Sequence, residues 1–380
     1  MPAALERLLA DGPPSSERID AFLAENAPFP LLEDSRATFV YRGEARSVRW
    51  QHWIFGLPTS QEFRRIEGTD LWYLTVELRK KSRIEYKLLV EDHSGRRVLL
   101  RDRYNPLRAH DPFGANSVCA TEGYERPEWT YPHPESRAGR MESFSIHSKA
   151  LGESRQVQVY RPARFREHRR YPLLVVHDGT DYQRYSAMKI VLDNLIHRLE
   201  IPPLIVAFSD PGDRLREYAA DPRHNDHIAL ELLPLLEERY PLERRPLSRC
   251  LMGASFGAVA SLSTAWRHPG LFGKLLLQSG SFAFTDIGTH DRGPAFDPVV
   301  EFMNAFRKAP GRPAERIFMS CGLYESLIYE NRSLVPLLQD IGIDVRFERA
   351  RDGHNWENWR DRLRSGLSWL FPGPLWMVYE

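Results

Sequence analysis

The chain has 380 residues, of which 42% are hydrophobic and 27% charged, the make-up of a globular protein long enough for two domains. Its 52 Lys and Arg against 51 Asp and Glu create no global field to recruit nucleic acid or a membrane surface, so any charge selectivity must be local. No stretch approaches the ~18 apolar residues that span a bilayer, residues 1–7 carry no basic leader ahead of an apolar core, and Cys119, Cys250 and Cys321 are too few and too scattered for a disulfide framework, which predicts the reducing cytoplasm.

Residues 3–10 and 15–25 predict two short amphipathic helices separated by the breaker Asp11-Gly12-Pro13-Pro14. The period then changes. Runs at 38–41, 48–50, 71–76 and 85–90 are β-branched and aromatic, broken by Gly, Pro and charged turns, which predicts a small all-β sandwich. Trp50, Trp53, Trp72 and Tyr73 offer either a carbohydrate-stacking platform or cross-strand packing, and packing is the commoner use of such side chains. Residues 79–83, Arg-Lys-Lys-Ser-Arg, read as a solvated turn.

The stretch 127–134, Pro-Glu-Trp-Thr-Tyr-Pro-His-Pro, is stiff and extended. It divides the chain into residues 1–132, helices plus sandwich, and a domain of 133–380. That second half opens with two antiparallel strands at 144–147 and 155–160. Strands at 173–177, 204–208, 249–252, 274–279, 316–321 and 344–350 then alternate with helices at 188–199, 225–239, 256–267, 298–308, 328–341 and 356–370. This alternation specifies a mostly parallel sheet with helices on both faces, binding its ligands beyond the carboxyl ends of the strands. Pro234 should kink its helix.

At ordinary Gly and Ser usage the bare pattern Gly-x-Ser-x-Gly arises by chance in about one chain in ten of this length, so context decides. Gly253-Ala254-Ser255-Phe256-Gly257 follows an apolar run and precedes a small-residue helical run. That is the setting of a tight strand-to-helix turn lifting the Ser255 hydroxyl clear of the sheet edge. A serine nucleophile needs a base and a group that orients it. With chain order serine, acid, histidine, the base is His268, His290 or His354. His268 ends the helix that leaves the turn and is placed to cap carbonyls. His290 lies in an irregular loop and is a candidate substrate contact. His354, directly after the last strand, is the base. Glu325, just past strand 316–321, is the acid, with Asp286 and Asp297 as alternatives. Oxyanion donors are the Phe256 amide and, from the loop after 173–177, Gly179 or Thr180, for which a plain glycine turn is the alternative. His224-Asn225-Asp226-His227 lacks the spacing and third ligand of a zinc motif, so no metal or other cofactor is expected.

The chain resembles the enterochelin (ferric enterobactin) esterase family in an ordered series of motifs. These are Asp178-Gly179, Arg214-Leu215-Arg216-Glu217, Glu231-Leu232-Leu233-Pro234, Gly253-Ala254-Ser255-Phe256-Gly257, 268–273 (His-Pro-Gly-Leu-Phe-Gly), 278–282 (Gln-Ser-Gly-Ser-Phe), 321–325 (Cys-Gly-Leu-Tyr-Glu) and 353–359 (Gly-His-Asn-Trp-Glu-Asn-Trp). In the first half, 37–39, 68–72 and 83–87 resemble the family's β-sandwich domain. The resemblance implies an α/β-hydrolase fold and cytoplasmic hydrolysis of a carboxylic ester, typically the serine-ester backbone of a catecholate siderophore. Ala258, where the family usually has glycine, and Glu325, where many relatives have aspartate, are departures. The wider family also includes feruloyl and acetyl-sugar esterases, so the triad does not fix the substrate. A ferric catecholate is a large anion. Arg214 and Arg216 are the cations expected to meet it, with Arg292, Arg223 and His224 behind them; an Arg214–Glu217 pair bracing the loop is the competing reading.

Overall fold

The computed structural model describes residues 2–374, which form two compact units. One comprises the residues up to Glu125 together with 323–326 and 350–355; the other comprises 126–322, 327–349 and the chain from Trp356 on.

In the first unit, helices α1 (Ala3–Leu9) and α2 (Ser16–Glu25) form as the sequence predicts. The Ser15 hydroxyl caps α2 by accepting the Arg18 amide at 3.3 Å. Leu5, Leu8, Ile19, Phe22 and Leu23 are buried against Phe29, Val40, Ile66 and Leu71, each contributing roughly 2 kcal/mol of hydrophobic stabilisation. Ten strands follow: β1 (Leu31–Glu33), β2 (Arg36–Arg42), β3 (Ser47–His52), β4 (Ser60–Glu62), β5 (Arg64–Arg65), β6 (Leu71–Glu77), β7 (Arg83–Glu91), β8 (Arg97–Leu100), β9 (Arg108–Asp111) and β10 (Gly114–Ala120). They make two antiparallel sheets, ordered β1-β2-β6-β5 and β4-β3-β7-β10-β9, with β8 also on β7. Alternation along β7 turns Ile84, Tyr86 and Leu88 into the core. There Phe39 packs on Trp50 and Tyr86, with ring centroids 4.9 Å away in both pairs. Trp50 and Trp72 are therefore core residues, whereas Trp53 is 53% exposed.

The second unit is built on strands β11 (Arg140–Ser148), β12 (Glu153–Arg161), β13 (Leu173–His177), β14 (Ile205–Ser209), β15 (Arg249–Ala254), β16 (Lys274–Gln278), β17 (Arg316–Gly322) and β18 (Asp344–Ala350). Its helices are α3 (Gly179–Tyr185), α4 (Met188–His197), α5 (Arg214–Glu217), α6 (Pro222–Asp226), α7 (Leu233–Arg239), α8 (Phe256–Arg267), α9 (Asp297–Lys308), α10 (Ile328–Asp340) and α11 (Trp356–Leu370). The eight strands form one sheet in the order β11-β12-β14-β13-β15-β16-β17-β18. The first hairpin is antiparallel, and β14, β13, β15, β16 and β17 are parallel. Period-2 alternation feeds two cores: Leu173, Val175 and Leu251 face one side, Leu174, Val176 and Met252 the other. The strand order reverses at β13, whose neighbours are β14 and β15. Such a reversal, where the connections leaving β13 and β15 run to opposite sides, is the place at which sheets of this kind bind ligands, beyond the carboxyl ends of the strands.

The expected helix 225–239 is present as one continuous right-handed run in which the hydrogen-bond pattern changes, Asp226, His227, Leu232 and Leu233 all keeping helical backbone angles. α6 ends at Asp226, a π-helical segment covers His227–Leu232, and Pro234 lies in the first turn of α7. Proline lacks the amide that an α-helix would use at that position, and the π-helical turn just before it, where the Leu233 amide bonds the Ile228 carbonyl five residues back, takes up the interruption.

Candidate active site

Ser255 is the single residue between β15 and α8, at φ 57° and ψ −120°, a strained conformation for a residue with a Cβ. Its amide donates to the Gln278 carbonyl at 2.9 Å, and its own carbonyl accepts the Ser281 amide at 3.2 Å. The Ser255 and Ser281 hydroxyl oxygens are 3.1 Å apart. The turn depends on Gly253, since a Cβ there would sit 2.3 Å from the Gly257 carbonyl carbon. Phe256 begins α8, and the first amides of a helix have no intrahelical acceptor.

The loop after β13 is more structured than the sequence predicts. Asp178 takes a left-handed conformation and Gly179 opens α3. Glycine is required at 179 because a Cβ would lie 2.4 Å from that of Phe208 on β14. The Thr180 amide donates to Asp210 at 3.0 Å and its hydroxyl to the same carboxylate at 2.5 Å. Of the two expected donors in this loop, Thr180 is thus taken up by Asp210, while Gly179 stands at the first position of α3.

Asp178 is buried, and burial raises its pKa against the opposing pull of Arg214. Arg214 donates from Nε to Oδ1 and from Nη2 to Oδ2, both at 2.8 Å. Arg214 does not pair with Glu217. Glu217 instead accepts from Arg155 Nη2 at 2.5 Å and from the amides of Gly212 and Asp213 at 3.0 and 3.1 Å. In an i, i+3 pair on so short a helix both side chains would point to solvent, and each finds a better partner on a neighbouring element.

Behind this loop lies a buried histidine network that the sequence does not announce. Ser261 Oγ donates to the Gly257 carbonyl at 2.9 Å, so His177 Nδ1–H is the donor in its contacts with Ser261 Oγ and the Met252 carbonyl at 3.0 and 3.2 Å. His177 Nε2 then accepts from His224 Nε2–H at 3.1 Å, and His224 Nδ1 is left facing Glu217 Oε2 at 3.6 Å. Burial holds the pKa of His177 well below its ordinary value, with His224 adding to the effect. The network ties β13, β15, α5, α6 and α8 together immediately beneath Ser255 and Gly179.

Glu325 and His354 are brought together in the first unit. His354 Nδ1 and Glu325 Oε2 are 2.7 Å apart, and the Glu325 side chain is 1% exposed. The Leu323 amide donates to the Ala350 carbonyl at 2.7 Å and the Tyr324 amide to the Asp352 carbonyl at 3.1 Å. The two segments therefore run side by side in one direction out of β17 and β18. The alternative acids are placed elsewhere: Asp286 is exposed and Asp297 pairs with His290 Nε2 at 3.1 Å.

The remaining expected residues separate clearly. Arg292 is ion-paired with Glu330, and Arg223 is paired with Asp221 at 2.6 Å. His224 is buried in the network and so is no surface cation. Arg216 is exposed and, among the described residues, has no carboxylate partner. His268 does not cap carbonyls with its ring, because Nε2 contacts Asp226 at 2.9 Å. The 224–227 cluster diverges, with His227 turned to Glu231 at 3.0 Å. His133, Glu135 and His197 have ligand-type atoms within 4.8 Å of one another. All three are exposed, and the Glu135 amide is directed at His133 Nδ1 at 3.3 Å, the arrangement of a solvated linker. Ser82 and Arg83, expected in a solvated turn, are buried, Arg83 to 1% exposure.

A mostly parallel sheet with a strained serine turn at the carboxyl end of a central strand, helices on both faces, and a His–Glu pair after later strands defines an α/β-hydrolase. The chain belongs to the esterase family, whose profile matches residues 148–370, and a second profile, the enterochelin esterase N-terminal domain, matches residues 36–133. It is 27% identical over 335 residues to the iron(III) enterobactin esterase of Escherichia coli K12, covering 81% of each chain. Its fold is similar to that of the ferric enterobactin esterase of Salmonella typhimurium, with a TM-score of 0.75, 22% identity and coverage of 92% and 98% of the two chains. The enterochelin esterase of Shigella flexneri gives 0.73 at 22% identity over 94% and 97%. A ferulic acid esterase matches over 62% of this chain and 98% of its own, with a TM-score of 0.54 at 20% identity. The protein is a carboxylic ester hydrolase, and the resemblance read from its sequence holds. Among the described residues no helix is long and apolar enough to cross a membrane.

Proposed function

We propose that this esterase cleaves the serine-ester linkages of a catecholate siderophore, ferric enterobactin or a close analogue, in the cytoplasm, with Ser255 as nucleophile, His354 as base and Glu325 as orienting acid. The observation that carries the chemistry is the 2.7 Å Glu325–His354 pair, in segments that extend β17 and β18, together with the strained Ser255 turn. Support for the substrate class comes from similarity to the Escherichia coli enterobactin esterase that extends over both domains. The feruloyl esterase likeness is confined to 62% of the chain.

In this mechanism His354 Nε2 takes the Ser255 proton as Oγ attacks the ester carbonyl. Glu325 holds the other ring nitrogen and stabilises the imidazolium. The tetrahedral oxyanion is met by the Phe256 and Gly179 amides, each worth about 3 kcal/mol of transition-state stabilisation. His354 then protonates the leaving seryl alkoxide, giving an alcohol and an acyl-enzyme. A water, deprotonated by the same imidazole, hydrolyses the acyl-enzyme and restores Ser255. Arg216 is the cation left to meet the catecholate anion.

The test is to incubate the purified protein with ferric enterobactin, methyl ferulate and an acetylated sugar in parallel and follow product release by chromatography. Release of dihydroxybenzoylserine by the wild type and none by Ser255→Ala is the expected result. A kcat/KM for methyl ferulate or the acetylated sugar about tenfold or more above that for ferric enterobactin would overturn the substrate assignment.

A further inference from the structure

We propose that the β-sandwich domain serves the esterase reaction as a positioning device, with Arg83 and Ser82 of the sandwich fixing the segments that carry His354 and Glu325. The inference rests on the roles given to those two residues under Proposed function.

Three observations carry it. The compact unit built on the N-terminal strands takes in 323–326 and 350–355, the two segments that hold the pair. Arg83, at the start of β7, then grips the His354 segment on both sides of the histidine. Its Nη1 donates to Asp352 Oδ1 at 3.3 Å and to Asn355 Oδ1 at 3.0 Å, while Asn355 Nδ2 donates to Asp352 Oδ1 at 2.7 Å. The guanidinium is steadied by Glu85 at 2.9 Å. The Arg83 amide donates to the Arg351 carbonyl at 2.9 Å, and Ser82 forms a parallel bridge with Arg351. Finally, the residue before Glu325 is fastened to the same domain. The Ser82 Oγ and Tyr324 hydroxyl are 2.5 Å apart, the Phe55 amide donates to the Tyr324 carbonyl at 2.8 Å, and the Tyr324 ring packs on the sandwich core.

A buried arginine bonded to several groups at once is costly to desolvate and weak as a device for stability alone. Placed around a base and its acid, it sets their mutual geometry, where a displacement of about 1 Å can cost on the order of 10²-fold in rate. Arg83, Ser82 and Tyr324 are positioning residues acting through His354 and Glu325.

The experiment is steady-state kinetics on p-nitrophenyl acetate and ferric enterobactin for Arg83→Met, Arg83→Lys and Tyr324→Phe, with Ser255→Ala and His354→Ala alongside and Tm recorded for each. Arg83→Met is expected to lower kcat by about 10²-fold with KM within about twofold on both substrates. Arg83→Lys should regain part of this, because an ammonium lacks the planar fork that spans two acceptors. Tyr324→Phe should lower kcat several-fold at a Tm close to wild type. Arg83→Lys and Tyr324→Phe with wild-type kcat, or a raised KM with kcat kept, would overturn the proposal. If the Arg83 variants do not fold, Tyr324→Phe decides alone. Turnover surviving in His354→Ala strikes the triad assignment itself. Turnover lost there and intact in Arg83→Lys and Tyr324→Phe strikes only the positioning role.

Discussion

Arg214 holds Asp178 by two parallel hydrogen bonds of 2.8 Å, and Asp178 is the residue immediately before Gly179. The arginine expected to greet an anionic substrate is thereby tied to the loop that carries Gly179, the proposed oxyanion donor. Its Nη2 also reaches the Ala254 carbonyl at 3.5 Å, one residue before Ser255.

Replacing Arg214 with methionine strands a buried carboxylate, which should destabilise the fold by about 3–5 kcal/mol. Adding Asp178→Asn should recover much of that loss, and urea titration of the single and double variants measures it. Arg214→Lys keeps the charge without the two-point geometry. It should lower kcat by roughly tenfold and leave KM for ferric enterobactin near wild type; a selective rise in KM would return Arg214 to substrate binding.

Arg216→Ala has the opposite signature. Loss of one exposed cation should raise KM for the ferric catecholate by about 5-fold, roughly 1 kcal/mol, with kcat unchanged. Turnover of uncharged p-nitrophenyl acetate should be unaffected, and added salt should shrink the difference between variant and wild type.

Two buried groups give the folded chain opposite pH dependences. The His177 pKa lies well below 6.5 through burial, so the unfolded chain binds a proton that the folded chain refuses, and stability falls as pH drops below about 6.5. Burial pushes Asp352 up to about 7 from 3.8 against the pull of Arg83. The folded state therefore holds an extra proton between those values, and stability falls as pH rises from about 4 through 7. Tm measured from pH 4 to 8 should lose the acid-side decline in His177→Gln and the decline toward neutrality in Asp352→Asn.

Gly253→Ala should abolish both folding yield and activity, because its Cβ would fall 2.3 Å from backbone atoms of Gly257 that cannot move without unmaking the turn. Ala258→Gly is mild by contrast. Ala258 is a buried position inside α8, and glycine there should cost about 1 kcal/mol in thermal stability with kcat within about twofold.

The turn at Ser255 was legible because the glycines at 253 and 257 stand between an apolar strand and a small-residue helix, the context that the five-residue pattern alone lacks. Strands β2, β3, β6 and β7 and the helices packed on the parallel sheet were legible through their periods. Strand β8 was not, because all four of its residues are exposed and no alternation marks it. The irregularity around Pro234 was visible, but its form, a π-helical segment over His227–Leu232, was not. Arg83 misled for a different reason: in a run of four cations a solvated turn is the default, and its partners Asp352 and Asn355 lie 269 and 272 positions away. The same blindness to distant partners hid the Arg214–Asp178 pair and the loss of Thr180 to Asp210.

The contact between Ser82 and Tyr324 spans 242 positions and that between Arg83 and Asn355 spans 272. During synthesis the sandwich strands leave the ribosome first, yet this face of the sandwich cannot close until residue 355 has also emerged. Completion of this face of the sandwich and assembly of the His354–Glu325 pair are thus one late event, and a nascent chain truncated before residue 354 has neither.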